Sequence, residues 1–496
     1  MADTLPSECD YLIVGAGASG LAFADSLLAH FPTSEVESSS PKVVIADIHS
    51  TPGGQWNDSY SFVRLHQPSA GYGVETEPLE PSSNDQVHLA SREEILQYYQ
   101  NVMNKLEKTH GATFVGNSKV DLSGTKQLDD GTWECQLQQH HGEEILKSIV
   151  VKKRLVDARY LQPDLPVDTK PTFVYDESKL NVVPINNIPG SNKKHFVVVG
   201  AGKTGMDVIY HLLTSSEVHP DNILWVKPHD MWITAREKIG SCMELLRDCA
   251  IQQVANNNKD ENNDLLLEST FLEWEKQGHV YRLDTSTVPT KFRDATLDKN
   301  ELDTVRQVTN VVRNGRVREI RSTDGALVFG DGSVVSLPWP KDDTLYIHCS
   351  AGAFNYTKQD PTFQEAAVFS PGKIVIQDVY GTPGFCFVGS ILGRLEAFQN
   401  RLTDDERNDM CLAPRSSSDA KVPELGPSGG DIDGALSSGH GFVQRLSNLK
   451  KWRSIPELRK WLEHHRLFNL KALGDAGVEK LVEETWDILK ERGIVQ

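Results

Sequence analysis

Two glycine turns constrain this chain more than any other feature. Residues 10–20 read DYLIVGAGASG and residues 196–205 read FVVVGAGKTG. In each, a short apolar run of strand character reaches a glycine turn and a helix-forming stretch follows. Both fit G-x-G-x-x-G. The first glycine allows a tight strand-to-helix turn, the second lets backbone approach a pyrophosphate, and the third lets helix and strand pack closely. The helix N-terminus then offers amides and the positive end of its dipole to the phosphates. These roles fall to Gly15, Gly17 and Gly20, and again to Gly200, Gly202 and Gly205, with Ser19, Lys203 and Thr204 in the same turns. GKT at 202–204 also resembles the end of a P-loop. A P-loop needs a glycine where Val197 stands, inside the strand, so that reading fails.

The strand that follows each turn separates the two ligands. After the first unit, KVVIAD ends at Asp47, a carboxylate suited to ribose hydroxyls, which fits FAD or NAD. After the second, ILWV is followed by Lys227, with Arg236 and Lys238 beyond and Asp230 four places past the strand. A cation there favours a 2′-phosphate and hence NADPH over NADH. Solvated surface charge is the plain alternative for these cations.

Composition narrows the class. The 496 residues carry 51 Lys and Arg against 69 Asp and Glu, a net charge of −18. An acidic surface argues against nucleic acid or an anionic membrane as the main partner. The seven cysteines are scattered with no C-x-x-C spacing, which suits free thiols in a reducing compartment. No Cys/His cluster suggests a metal, and none is expected. The opening MADTLPSECD reads as neither signal nor transit peptide, and apolar runs fall short of the roughly 18–20 residues that span a bilayer. A cytoplasmic protein without a membrane span is the expectation.

The pattern of elements gives an α/β chain with two Rossmann-like dinucleotide-binding domains, one inserted in the other, and a helical C-terminal extension. The expected boundaries are 1–165 for the first part of one domain, 166–335 for the inserted domain with a helical insertion, and 336–413 for the return segment. Residues 414–441, rich in Ser, Gly and Pro, read as a flexible loop, and 442–496 as helical. Within this frame 91–108 is a capped helix, 112–157 includes a small antiparallel meander, and 230–312 is mostly helical.

Several stretches resemble class B flavin monooxygenases, the flavin-containing and Baeyer–Villiger group. They are SGLAFADSLL, then VVIADIHSTPGGQW with GGQW at 53–56, RYLQPDLP at 159–166, GAGKTGMD at 200–207, and GFCFVGSILGRLE at 384–396. The resemblance covers about 1–240 and 340–400. It implies FAD at the first turn, with Gly54, Gln55 and Trp56 beside it, and a last strand and helix carrying Gly389 against FAD. It leaves the second turn for NADPH. The family fingerprint F-x-G-x-x-x-H is missing: YDESKLNVVPINNIPG stands before the second turn. The A-T-G of the family's return strand is replaced by Ala158 and Arg159.

The stretch SFVRLHQPSAGYGV, 61–74, passes the flavin ring in the related enzymes. Arg64, His66 and Gln67, with Ser69, are the candidate catalytic donors, and His66 could carry a proton near neutral pH. Hydrogen bonding to loop carbonyls is the plain alternative. His348 and Cys349 sit at a strand end, with Cys349 read as packing. The leading reading is an FAD-dependent, NADPH-using monooxygenase that acts on a small organic molecule and O2 through a peroxyflavin. A homodimer is compatible with it. A flavin oxidase or dehydrogenase without oxygen insertion, and a non-catalytic two-dinucleotide scaffold, stay open.

Overall fold

The computed structural model describes residues 5–32, 40–79, 88–141, 145–159, 169–241, 263–350, 367–380, 384–413, 432–468 and 478–491, with residues 165 and 167. The first glycine turn joins strand β1 (Glu8–Val14) to helix α1 (Ala18–His30), and β2 (Val43–Ala46) lies parallel to β1. Side chains of β1 divide by face. Tyr11 and Ile13 enter the main core under α1, while Cys9, Leu12 and Val14 enter a smaller core beyond the sheet.

Helix α2 (Arg92–His110) starts at a capping box between Ser91 and Glu94 and stops at Gly111 in the left-handed region. Strand β3 (Thr113–Val115) then extends the sheet in parallel beside β2. Next, β4 (Ser118–Gln127), β5 (Trp133–Gln139) and β6 (Ile145–Asp157) form the expected antiparallel meander. Strand β6 also runs parallel to β1, which lies between it and β2. The first turn therefore faces a crevice where the strand order reverses, the usual ligand site of an open α/β sheet.

The second unit repeats this arrangement. Strand β7 (Val182–Pro184) precedes β8 (His195–Val199), the second turn, α3 (Lys203–Thr214) and β9 (Ile223–Val226). The span 230–312 departs from the helical expectation. It contains β10 (Met231–Ala235), β11 (Val280–Tyr281) and β12 (Lys291–Leu297), which make their own three-stranded sheet. Trp232 and Phe292 from that sheet meet Phe271 and Trp274 of α4 (Asn263–Lys276). Only α4 and α5 (Lys299–Val305) are helical among its described residues, apart from short 3-10 turns. In MWITA at 231–235 the aromatic and β-branched residues Trp232, Ile233 and Thr234 favour strand over the helical pattern of their neighbours.

Strand β13 (Val311–Val312) pairs with β9 and is followed by the meander β14 (Val317–Ile320), β15 (Leu327–Phe329) and β16 (Val334–Val335). Strand β17 (Thr344–His348) lies between β8 and β7, completing an all-parallel order β13-β9-β8-β17-β7. The second sheet thus runs past the boundary expected near 335 and keeps His348. The chain rejoins the first sheet with β18 (Phe369–Ser370) and β19 (Lys373–Val375), the latter parallel to β6.

The segment expected as a last strand and helix is helical from Phe385 to Ala397, α6. It is followed by α7 (Asp404–Asp409), α8 (Ile432–Ser454), α9 (Pro456–His464) and α10 (Val478–Glu491). Helix α8 begins inside the span expected as loop, whose residues 414–431 lie outside those described. No described helix is long and apolar enough to cross a membrane.

Candidate active site

At the first turn, Gly15 has φ of 109° and its amide bonds the Ala46 carbonyl. A Cβ on Gly20 would lie 2.0 Å from the Gly15 carbonyl oxygen. The turn closes onto Ala158 at the end of β6, 3.7 Å from where a Gly15 Cβ would stand. GGQW packs directly against it. A Cβ on Gly54 would come within 2.8 Å of the Gly17 Cα, and Gly53 donates its amide to the Ala16 carbonyl at 2.9 Å. The α2 residue Arg92 holds this loop through the carbonyls of Trp56 and Asn57. Trp56 is buried and donates Nε1–H to the Tyr72 hydroxyl at 2.9 Å. The buried Oε1 of Gln55 has no hydrogen-bond partner among the described residues.

Asp47 stands where expected, at the end of β2, and is buried. Its Oδ2 accepts the Ala16 amide at 2.6 Å, and its Oδ1 accepts the amide and ring Nδ1 of His49. The other ring nitrogen of His49 meets Asp58 at 2.6 Å. Hydrogen bonding to Asp47, reinforced by Asp58 and opposed by burial, raises the His49 pKa to about 9. An imidazolium therefore lies against the carboxylate, a feature with no motif to announce it.

At the second turn, Gly200 has φ of 142°, and a Cβ there would lie 2.5 Å from the Cys349 carbonyl oxygen. Cys349, at the end of β17, backs this turn as Ala158 backs the first. Burial pushes its thiol far above the usual range, which fits the packing role. A Cβ on Gly205 would lie 2.5 Å from the Gly200 carbonyl oxygen, whereas one on Gly202 would meet nothing within 4 Å. The open side of the turn is thus at the glycine expected to meet the pyrophosphate. Thr204 lies half-buried in the first turn of α3. Lys203 is mostly buried and forms an ion pair with Asp207 one turn along α3.

Lys227 departs further from expectation. Its ammonium is 2% exposed, lies 2.5 Å from Asp230 Oδ1 and 4.7 Å from the centre of the Trp225 ring. Burial lowers its pKa against the pull of Asp230. It is a buried structural cation. The exposed cation at this strand end is Arg313, just after β13, which bridges Asp230 at 2.7 Å and Asp284 at 2.9 Å.

Segment 58–69 crosses from the first unit to the second. Asn186 donates to the Asp58 carbonyl, Tyr60 donates to Asp207 Oδ2 at 2.7 Å, and Phe62 stacks on His211 at 3.8 Å. Arg236 donates to the His66 carbonyl at 2.9 Å and is held by Asp298 and Glu301. Of the candidate donors, Arg64 bonds the Leu89 carbonyl, and Ser69 links His88 and Ala90. Both hold two loops of the first unit together. Gln67 is buried beside them. His66 is the member set against the second unit. The residue is exposed, with Lys203, Asp207 and Arg236 as its charged neighbours. Desolvation, then the Lys203 charge, then Arg236 bring its pKa to about 4, with Asp207 opposing them. The imidazole is neutral at physiological pH.

Gly389, expected against FAD, packs on α1 beside the first glycine turn. A Cβ there would lie 2.3 Å from the Ser19 carbonyl oxygen, and one on Gly393 would lie 2.4 Å from that of Phe23. The two glycines let α6 cross close over α1, and Ser19 is buried there. Gly389→Ala should lower stability by about 1–3 kcal/mol through overpacking. Chemical denaturation measures this; an unchanged midpoint would refute the packing role.

No family model matches the chain. Its fold is that of the two-dinucleotide flavin monooxygenases. The open crystal structure of cyclohexanone monooxygenase aligns with 92% of this chain and 99% of its own, at a TM-score of 0.50 and 15% identity. A mutant flavin monooxygenase from Stenotrophomonas maltophilia aligns with 79% of this chain and 98% of its own, with TM-score 0.46 and 14% identity. The chain belongs to the family of an uncharacterized protein of Mycobacterium tuberculosis, 30% identical over 478 residues, which are 93% of this chain and 77% of that protein. An uncharacterized protein of Mycobacterium bovis matches to the same extent.

Tyr60, Asp207 and Arg313 make contacts at the candidate site that the sequence reading did not point to. Asp207 had a signal, the i,i+4 spacing from Lys203 within GAGKTGMD. Tyr60 and Arg313 had none, since each acquires its partner only through tertiary packing.

Proposed function

We propose that this chain is an FAD-dependent, NADPH-using oxidoreductase of the monooxygenase kind, acting on a small organic molecule with O2. The observation that carries the reading is the pair of glycine turns at the ends of β1 and β8, each beside parallel strands of its own sheet, joined by segment 58–66. The first turn fits a flavin dinucleotide. Gly17 and Gly54 bring GGQW close against the start of α1, where backbone would meet a pyrophosphate, and the Gln55 Oε1, without a partner among the described residues, offers a buried acceptor. Asp47 keeps a lone pair on Oδ2 for a ribose hydroxyl after serving Ala16. Bound there, FAD would supply hydride acceptance from NADPH and reaction with O2. Gly202 and the α3 N-terminus would take the nicotinamide nucleotide's pyrophosphate. His66, neutral at physiological pH with its pKa lowered to about 4, would serve as a hydrogen-bonding imidazole rather than as the proton carrier expected from the sequence. Tyr60 and Phe62 would close the segment over α3 and exclude water.

Purified protein supplied with FAD is expected to turn yellow, to bleach on anaerobic mixing with NADPH, and to incorporate labelled dioxygen into an accepted substrate. A protein that stays colourless with FAD would overturn the reading. Quantitative hydrogen peroxide release without incorporation would favour the oxidase alternative, which the missing fingerprint motivates.

NADPH preference on this reading rests on Arg313. An arginine–phosphate contact is worth about 1.5–3 kcal/mol. Arg313→Ala should weaken NADPH binding by roughly tenfold or more while leaving NADH within a few-fold. Lys227→Ala should mainly lower stability by stranding buried Asp230. Calorimetric titration with both nucleotides tests the assignment, and an unchanged preference in Arg313→Ala would remove it.

A further inference from the structure

Lys203 stands at the first position of α3, the positive end of a helix dipole, where a cation is unfavourable unless an anion answers it. In this structure the answering anion is Asp207 Oδ1. The other oxygen of the same carboxylate accepts the Tyr60 hydroxyl at 2.7 Å. Tyr60 belongs to the segment that leaves GGQW, and it lies 4.8 Å from Phe62, which stacks on His211 of the same α3 face. One carboxylate thus connects the lysine of the second turn to the loop that packs on the first. Both partners are largely withdrawn from water, at 12% and 17% exposure, so the contacts are weakly screened.

We propose that Asp207 is a positioning residue that reports occupation of the second glycine turn to the first through Tyr60. The inference rests on the nucleotide assignment above. A pyrophosphate at the start of α3 draws the Lys203 ammonium away from Oδ1, because a phosphate anion at a helix N-terminus is the stronger partner. Asp207 then has Tyr60 as its main remaining donor. The carboxylate turns toward that hydroxyl, and the 58–66 segment follows. GGQW is continuous with this segment, so the surroundings of the first nucleotide change when the second binds. By linkage the two sites acquire a coupling free energy that works in both directions. The roles differ: Lys203 contributes affinity for the second nucleotide as well as communication, whereas Asp207 and Tyr60 contribute communication.

The test uses the full-length, FAD-loaded protein titrated with NADP+, which binds without reducing flavin. Affinity is read by calorimetry and communication by the flavin difference spectrum. The wild type should show a saturable perturbation. Asp207→Asn and Tyr60→Phe should bind NADP+ within about threefold of wild type and lose at least about half of the perturbation. Lys203→Met should weaken binding by about tenfold and, with no ammonium to withdraw from Asp207, should also lose at least about half of the perturbation at saturation. Wild-type perturbation in both Asp207→Asn and Tyr60→Phe would overturn the coupling. Failure of the wild type to take up FAD or NADP+ would instead overturn the nucleotide assignment. Tyr60→Phe removes one oxygen atom from a buried ring, so it serves as the conservative arm if Asp207→Asn folds poorly.

Discussion

Gly20→Ala is expected to yield a protein that has lost flavin and is destabilised by about 3 kcal/mol, the upper part of the usual cost of overpacking. The methyl group would have to sit 2.0 Å from the Gly15 carbonyl oxygen and 3.3 Å from the Ala158 Cβ. Neither neighbour is the free end of a flexible side chain. Gly15 is fixed by its own positive φ and its hydrogen bond to Ala46, and Ala158 bonds the Val14 carbonyl. Relief must therefore come from moving α1 away from β1, which opens the cradle beneath the pyrophosphate. Gly202→Ala supplies the contrast. Its φ of −75° suits any residue, and the added Cβ would meet nothing within 4 Å. That variant should unfold within about 0.5 kcal/mol of wild type and keep its flavin, yet bind NADPH at least about tenfold more weakly. Urea melts, flavin content and NADP+ titrations of the two proteins measure these differences. If Gly202→Ala bound NADP+ normally, the second turn would not be a nucleotide site.

The contrast explains what was legible in the sequence. Glycine turns are local: strand, turn and helix occur within about a dozen residues, and the glycine spacing states the backbone geometry directly. Both βαβ units, the capping box at Ser91 and the meander before Asp157 were readable for that reason. Side-chain destinations were not. Lys227 reads as a free cation in one dimension, but the fold buries it between Trp225 and Asp230 and brings Arg313 from another strand to the surface beside it. Nothing in the sequence around Gly389 announces that α1 crosses close over it. Arg64 and His66 are two residues apart, yet one bonds a neighbouring loop while the other faces the second unit. The strands of 230–312 were missed because they pair mainly with one another across long sequence separations. Their helix-like neighbours dominated the local pattern.

The second large effect lies away from either glycine turn. Glu396→Ala is expected to cost about 3–5 kcal/mol, the range for removing one partner of a buried ion pair. Glu396 is 3% exposed near the C-terminal end of α6. Its Oε1 accepts the Tyr11 hydroxyl at 3.0 Å and the Arg154 Nε–H at 3.4 Å, and Arg407 Nη1 lies 3.8 Å from Oε2. Arg154 also meets Asp404 at 2.7 Å, and Arg407 reaches it at 2.8 Å. Two guanidiniums therefore share two carboxylates, and removing one carboxylate leaves excess positive charge in a poorly hydrated place. Glu396→Gln keeps the shape and an acceptor for Tyr11 while deleting the charge, so it should cost less than the alanine variant. Guanidinium unfolding of both proteins gives the comparison; a loss under about 1 kcal/mol for Glu396→Ala would mean that water already compensates these charges. The position also bears on function. The same helix carries Gly389 and Gly393 onto α1, whose N-terminus forms the first glycine turn. Loosening the end of α6 should therefore weaken FAD retention along with the fold. Gly202→Ala, far from this network, should leave FAD retention unchanged.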